Sequence, residues 1–321
     1  MATTAPYELK YGAATREAFG RALVEAARAN PDIVVCDADL SKSTMVHYFA
    51  QEFPDRFFSC GIAEANMVAL GAGLAMAGKI PFVASFSAFV LTKGFEQLRT
   101  TVAYPGVNVK VIGTHSGISI GEDGPSQMSI EDFALAGALP GFWVLSPADE
   151  VSMKAAVAWA AAHQGPVFIR AGRPKAPAIY APGAAFEFGR ANELRPGSDV
   201  TLCGTGLLVA ECLLAADLLA ADGISARVLD FHTIKPLDEE AVAKAALETG
   251  ALVVAEEHLV DSGLGARVAQ ALARTTPAPV EFVGVENRYA ESGTPDGLLD
   301  HYGLRAPQVA AAARKVLARK K

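Results

Sequence analysis

Runs of β-branched and aromatic residues alternate with alanine-rich amphipathic stretches along this chain, and no other feature limits its fold so strongly. Residues 33–36, 82–84, 107–112, 142–145 and 167–170 read as strands, with helical periodicity between them. This alternation predicts a mostly parallel sheet covered by helices on both faces, with ligand sites gathered at the carboxyl ends of the strands. The stretch 172–197 interrupts the pattern, because Pro174, Pro177, Pro182 and Pro196 exclude helix and central strand there. The alternation then restarts, with strands at 200–203, 226–229, 251–255 and 280–283 and helices at 207–221, 238–248, 264–273 and 307–317. The expected fold class is α/β, with two doubly wound, mostly parallel-sheet domains at residues 1–175 and 198–321 and a linker at 176–197.

Composition agrees with two packed domains. The 321 residues exceed the usual single domain of about 100–200. Hydrophobic residues at 51% and charged residues at 20% place the chain far from the disordered class. A net charge of −7 argues against a nucleic-acid surface or an anionic membrane as partner, since both require a dominant basic field. Any phosphate must therefore be held by local groups. Cys36, Cys60, Cys203 and Cys212 are scattered without a C-x-x-C pair, which fits a reducing compartment better than a disulfide or zinc framework. Residues 1–12 lack the basic-then-apolar pattern of a secretory signal, and no stretch stays apolar for the roughly 18 residues a membrane span needs. The expected location is the cytoplasm.

The stretch 56–99 is the most informative. A strand at 56–60 leads into Gly61-Ile62-Ala63-Glu64, and a Gly/Ala-dotted helix follows to about residue 77. Glu64 thus falls at a helix start, where the macrodipole favours an anion, while Ile62, Met67 and nearby aromatics favour desolvation and a raised pKa. That tension suits proton exchange with a ligand. The plainer alternative is a carboxylate that caps a core helix.

The strings RFFSCGIAEANMVALGAGLAMAG, PFVASFSAF and GTHSGISIGEDGPSQMSIEDFALAGALPG resemble the pyrimidine domain of transketolases. DFHTIKPLD, VVAEEHLVDSGLGARVAQAL and LLDHYGLRAPQV resemble the transketolase C-terminal domain, so the likeness spans essentially the whole chain. It implies a thiamine-diphosphate-binding pyrimidine domain followed by a transketolase C-terminal domain.

The resemblance also assigns roles. Glu64 matches the glutamate that hydrogen-bonds N1′ of the thiamine aminopyrimidine and shares its proton, which activates the thiazolium C2. Phe86 and Phe89 match aromatics that pack around that ring, with Ile62 in the same cofactor-binding stretch. Asp39 matches a residue near the thiazolium and donor site. Arg16, Ser43, His115 and Arg173 match phosphate-contacting residues, and Asp123 matches one that recognises substrate hydroxyls. Guanidinium groups suit phosphate because their planar donors bind it bidentately. His115 also counts, with Glu64, among the implied catalytic groups. Together these imply transfer of a two-carbon ketol unit from a ketose phosphate to an aldose phosphate.

Two positions depart from the commoner pattern. Gln127 stands where many transketolases carry His, so the contact to donor hydroxyls would come from an amide. Thr92 stands where a third aromatic is usual, leaving Phe95 or neighbouring apolar residues to complete the pyrimidine pocket. The family's Gly-Asp-Gly diphosphate motif does not occur in the sequence. The diphosphate and its Mg²⁺ or Ca²⁺ are therefore expected on an N-terminal, diphosphate-binding partner subunit, which implies an α2β2 assembly in which this chain is β and holds no metal.

Other readings compete. Gly204-Thr205-Gly206, with Asp230 ending the next strand, mimics a dinucleotide fingerprint, but Val209 stands at the third glycine position. Tight strand-to-helix turning explains those glycines equally well. His232 and His258 look structural or interfacial, and no role is assigned to His47, His163 or His301. The functional rivals are the β subunit of a 2-oxo acid dehydrogenase, which shares the Gly-Ile-Ala-Glu motif, and a non-catalytic structural subunit. GEDGPSQMSIED and the Arg/His set weigh against both.

Overall fold

The computed structural model of the chain describes residues 5–320. After a short strand β1 (Tyr11–Ala14) come β2 (Ile33–Asp37), β3 (Phe57–Ser59), β4 (Ile80–Phe86), β5 (Lys110–Thr114), β6 (Trp143–Leu145) and β7 (Val167–Arg170). These last six are mutually parallel, in spatial order β6-β7-β5-β4-β2-β3. Strands buried on both faces read as unbroken apolar runs, and β2, β5 and β7 are buried at every position. Helices Thr15–Ala29 and Glu150–Ala162 pack on one face, over Ile33, Val35, Phe82, Ile112 and Ile169. Helix Glu64–Met76 covers the other. A Cβ at Gly71 would lie 2.6 Å from Val83 Cγ1, so the helix approaches β4 as closely as only a glycine permits.

The second half repeats the plan with a smaller sheet. β8 (Lys175–Pro177) pairs antiparallel with β1. β9 (Asn192–Arg195), β10 (Val200–Gly204), β11 (Ala226–Asp230), β12 (Thr233–Lys235), β13 (Leu252–Leu259) and β14 (Val280–Val285) follow. The second sheet runs β14-β13-β10-β11-β9 and is parallel except for edge strand β9.

Three features differ from the sequence reading. The stretch read as a linker carries the end of β8 and all of β9, because prolines exclude central strands but leave edges open. β12 leaves the second domain and pairs antiparallel with β6, adding a seventh strand to the first sheet. Lys235 fastens this crossover by donating to the Gly137 and Leu139 carbonyls at 3.0 and 2.6 Å. The strand expected at 107–112 begins only at Lys110, whose buried ammonium is satisfied by Asn108 Oδ1 and the His163 and Gly165 carbonyls. As a result the two domains share one core, in which Val83 and Phe142 belong to the same cluster as Leu229, Val254 and Val268. No helix among the described residues is long and apolar enough to cross a membrane.

Candidate active site

The residues singled out in the sequence converge at the carboxyl ends of β2, β4, β5 and β7, where an open parallel sheet leaves strand ends and helix starts facing a common space. Gly61 turns the chain in the left-handed region (φ 66°), and Glu64 opens the next helix. Ala63, the N-cap, offers no side-chain bond to the helix start, so Glu64 is the acidic group of that first turn. Its carboxylate is 3% exposed, and Oε1 lies 3.4 Å from Lys93 Nζ. Lys93 follows Phe89 by four residues on helix Ser87–Lys93, and its ammonium sits 4.4 Å from the Phe89 ring centroid.

Ile62 corrects the desolvation argument. It is 76% exposed, so within the single chain it does not supply the apolar cover expected of it. Glu64 is buried without it, beside a cation, Lys93, that sequence reasoning missed. The i, i+4 spacing of Phe89 and Lys93 was the available signal.

Phe86, last residue of β4, stacks on Phe89 with centroids 5.4 Å apart and on His115 at 3.8 Å. His115 follows β5 in a left-handed conformation (φ 58°). Only three non-glycine residues among those described have positive φ, and two of them, Asp39 and His115, are candidate site residues. Such backbone persists only where its surroundings over-determine it.

Hydrogen bonding fixes the imidazole tautomer. Arg16 Nη1 lies 3.4 Å from His115 Nε2, and a guanidinium can only donate, so Nε2 is the acceptor. Nδ1 then carries the proton and donates to Thr114 Oγ1 at 2.9 Å. Burial, reinforced by Arg16 and Arg173, pushes the imidazole pKa down to about 3. The site therefore presents a neutral ring, not an imidazolium.

Arg16 Nη1 also donates to the Ser43 carbonyl at 2.7 Å, so Ser43 contributes a backbone oxygen to this contact. Arg16 Nε is buried without a partner. Burial first, and repulsion from Arg173 second, depress the Arg16 pKa. An anion beside these two guanidiniums would offset their mutual repulsion, while His115 Nε2 acts as an acceptor for Arg16. Arg173 is tied to the loop by donation to the Ile120 carbonyl and to Glu122 Oε2 at 2.7 Å. Asp123 and Gln127 lie on the same loop, Asp123 exposed and Gln127 accepting from the Ser126 hydroxyl.

Asp37 was missed. It is 2% exposed, its Oδ2 accepts from the Leu40 amide at 3.1 Å, and its Oδ1 has no partner. Burial pushes its pKa up to about 6. Asp37 thus caps the turn that follows β2, while Asp39 is exposed at φ 65°. In the second domain, a Cβ at Gly204 would lie 3.0 Å from Val209 Cα, a close strand-to-helix approach that accounts for the glycine. His232 is buried edge-on to Phe186 and Phe188, and His258 sits at the domain junction, its Nε2 accepting from the Phe133 amide.

The chain matches the transketolase pyrimidine binding domain over residues 12–178 and the transketolase C-terminal domain over residues 189–309. It belongs to the transketolase family. It is 43% identical over 305 residues to the 6-deoxy-6-sulfo-D-fructose transketolase subunit SqwH of Clostridium sp. (strain MSTE9), covering 95% of each chain. It is 40% identical to the putative transketolase C-terminal section of Methanocaldococcus jannaschii, covering 92% of this chain and 93% of that one. Among solved structures, a split gene transketolase, an inactive β4 tetramer, superposes with a TM-score of 0.91 at 47% identity. That match covers 97% of this chain and 100% of its relative.

Proposed function

We propose that this chain is the β subunit of a split transketolase and moves a two-carbon ketol unit between anionic sugars, acting only with a diphosphate-binding partner. The observation that carries the reading is the Phe86 ring, which stacks on both Phe89 and His115. Through Phe89, which carries the Lys93 ammonium that pairs with Glu64, and through His115, which contacts Arg16, it links an acid-and-aromatic group to an anion-binding group by direct contacts.

The residues present fit the pyrimidine end of thiamine diphosphate. A carboxylate 3% exposed can hold a ring N–H, and a stacked phenylalanine pair can pack a flat heterocycle. When bound, the cofactor supplies a thiazolium carbon that carries the two-carbon unit. Glu64 then holds and returns a proton at the ring nitrogen, and Phe86 and Phe89 exclude water from that face. Arg16 and Arg173 hold the anionic end of the sugar, with the neutral His115 aligning the Arg16 guanidinium through Nε2. Asp123 and Gln127 are assigned to its hydroxyls and Asp39 to the donor side. The metal and the diphosphate are assigned to the partner. The relative whose β4 tetramer is inactive supports a requirement for one, in an α2β2 assembly.

A second substrate reading has its own support. The SqwH relative is named for a 6-sulfonated fructose, and a sulfonate presents the same trigonal face of three oxygens as a phosphate. The test is to mix the chain with its candidate diphosphate-domain partner, thiamine diphosphate and Mg²⁺. Xylulose 5-phosphate with ribose 5-phosphate, 6-deoxy-6-sulfofructose with an aldose phosphate, and pyruvate are then assayed separately. Ketol transfer from either sugar supports the reading, and the two sugars decide the anion. Turnover of pyruvate alone points to an oxo acid enzyme. No turnover, with no thiamine diphosphate retained by the mixture in equilibrium dialysis, points to a silent subunit.

A further inference from the structure

The loop 115–131, which carries His115, Asp123 and Gln127, is gripped from the second domain. Ser119 N–H donates to Glu257 Oε1 at 2.6 Å, across 138 residues of sequence. Glu257 is 3% exposed and stands near the end of β13. Gly117, in the left-handed region at φ 81°, lies so close to the Glu257 carboxylate that any Cβ there would collide with it. The two stems of the loop are closed by Gly117 N–H donating to the Ser129 carbonyl at 2.7 Å. Two residues further along β13, Leu259 N–H donates to the Ile130 carbonyl at 2.8 Å.

An apolar side chain could fill that space without the cost of burying a charge. The carboxylate instead takes the amide of a residue four positions beyond His115. We propose that Glu257 is a positioning residue: through the Ser119 amide it holds the sugar-binding loop in register, so that the second domain helps to set the geometry of the site. The role for sugar binding rests on the transketolase reading above, whereas the grip on the loop does not.

Two measurements test it. Native-state amide exchange of the unmodified chain needs neither partner nor cofactor. The Ser119 amide should open together with those of Gly117 and Leu259 as one unit, and a Ser119 amide exchanging independently of the other two overturns the proposal. In the assembled enzyme, Glu257→Ala should raise KM for the anionic sugar by roughly tenfold or more, because small displacements of positioning groups have effects of that order. The same variant should leave kcat within about threefold. Glu257→Gln keeps an acceptor oxygen and should restore KM. Unchanged KM in the alanine variant, or a matching defect in the glutamine variant, overturns the proposal. If the wild-type pair shows no turnover, the transketolase reading fails by itself and amide exchange still decides the grip.

Discussion

Lys93 Nζ lies 3.4 Å from Glu64 Oε1, an ion pair with one partner half exposed and the other at 3% exposure. The lysine keeps access to water, so the pair contributes at most about 1 kcal/mol to stability. The proposed role of the carboxylate is chemical, and the two roles separate by experiment. Glu64→Gln in the assembled enzyme should lower kcat by roughly 10²–10⁴-fold, the range of a lost proton-transfer group, and shift unfolding by less than about 1 kcal/mol. Turnover and urea denaturation on the same preparation check this. A variant of near-normal kcat and clearly reduced stability would reassign Glu64 to helix capping.

Arg16 Nη1 reaches the Ser43 carbonyl at 2.7 Å and His115 Nε2 at 3.4 Å, leaving other guanidinium donors for an anion. A lysine keeps the charge but loses the planar fork. Arg16→Lys should raise KM for a phosphorylated or sulfonated acceptor by roughly tenfold, about the worth of one charged hydrogen bond, with kcat little changed. The same acceptor without its anionic group should show no such change. Equal effects on both acceptors would place Arg16 in scaffolding and not in anion recognition.

The alternating layers were readable because fully buried parallel strands leave continuous apolar runs, as in β2 and β4, and doubly amphipathic packing leaves little else possible. β12 was not readable, since Thr233, Ile234 and Lys235 are too few to carry a period and their partner β6 lies in the other domain. Short edge β9 escaped because it lies within the proline-punctuated stretch read as a linker. At the site, strings of residues gave Glu64, Phe86 and His115, but the contacts of Lys93 and Glu257 depend on how helices and domains dock. Asp37 was within reach: an aspartate two residues before Asp39 and three before the amide it caps has the spacing of a side-chain-capped turn.

His115 should stay neutral across the physiological range, since burial and two arginines hold its pKa near about 3 against an ordinary 6.5. Its ring proton shift in NMR should be flat from pH 8 to 5. The linkage has a definite sign. The unfolded chain takes up a proton below about pH 6.5 that the folded chain refuses until about pH 3, so stability present above 6.5 is lost as pH falls through that window. Each pH unit inside it costs about 1.4 kcal/mol. Asp37, raised to about 6, and Glu256, raised to about 7, act in the opposite sense, so the whole-protein profile mixes the two. His115→Asn isolates the effect, because Asn tolerates positive φ. Its stability should fall less steeply than wild type between pH 7 and 5, and parallel slopes would contradict the neutral assignment.

Arg170 and Asp132 form a buried ion pair at the domain junction, 2.8 Å between Nε and Oδ2, with exposures of 6% and 0%. The guanidinium also lies 4.5 Å from the Phe133 ring centroid and donates to the Glu257 carbonyl at 2.7 Å. His258, 3.8 Å from Asp132, adds no third charge: burial holds its pKa down at about 4, and its Nε2 already accepts the Phe133 amide. Removing either member leaves an uncompensated buried charge, so Asp132→Ala and Arg170→Met should each destabilise the chain by about 3–5 kcal/mol. The double variant removes both charges together and should cost well below the sum of the two. Equilibrium urea unfolding of the four proteins closes this cycle. Additive losses would mean that the two charges are solvated separately by the backbone and are not compensated by each other.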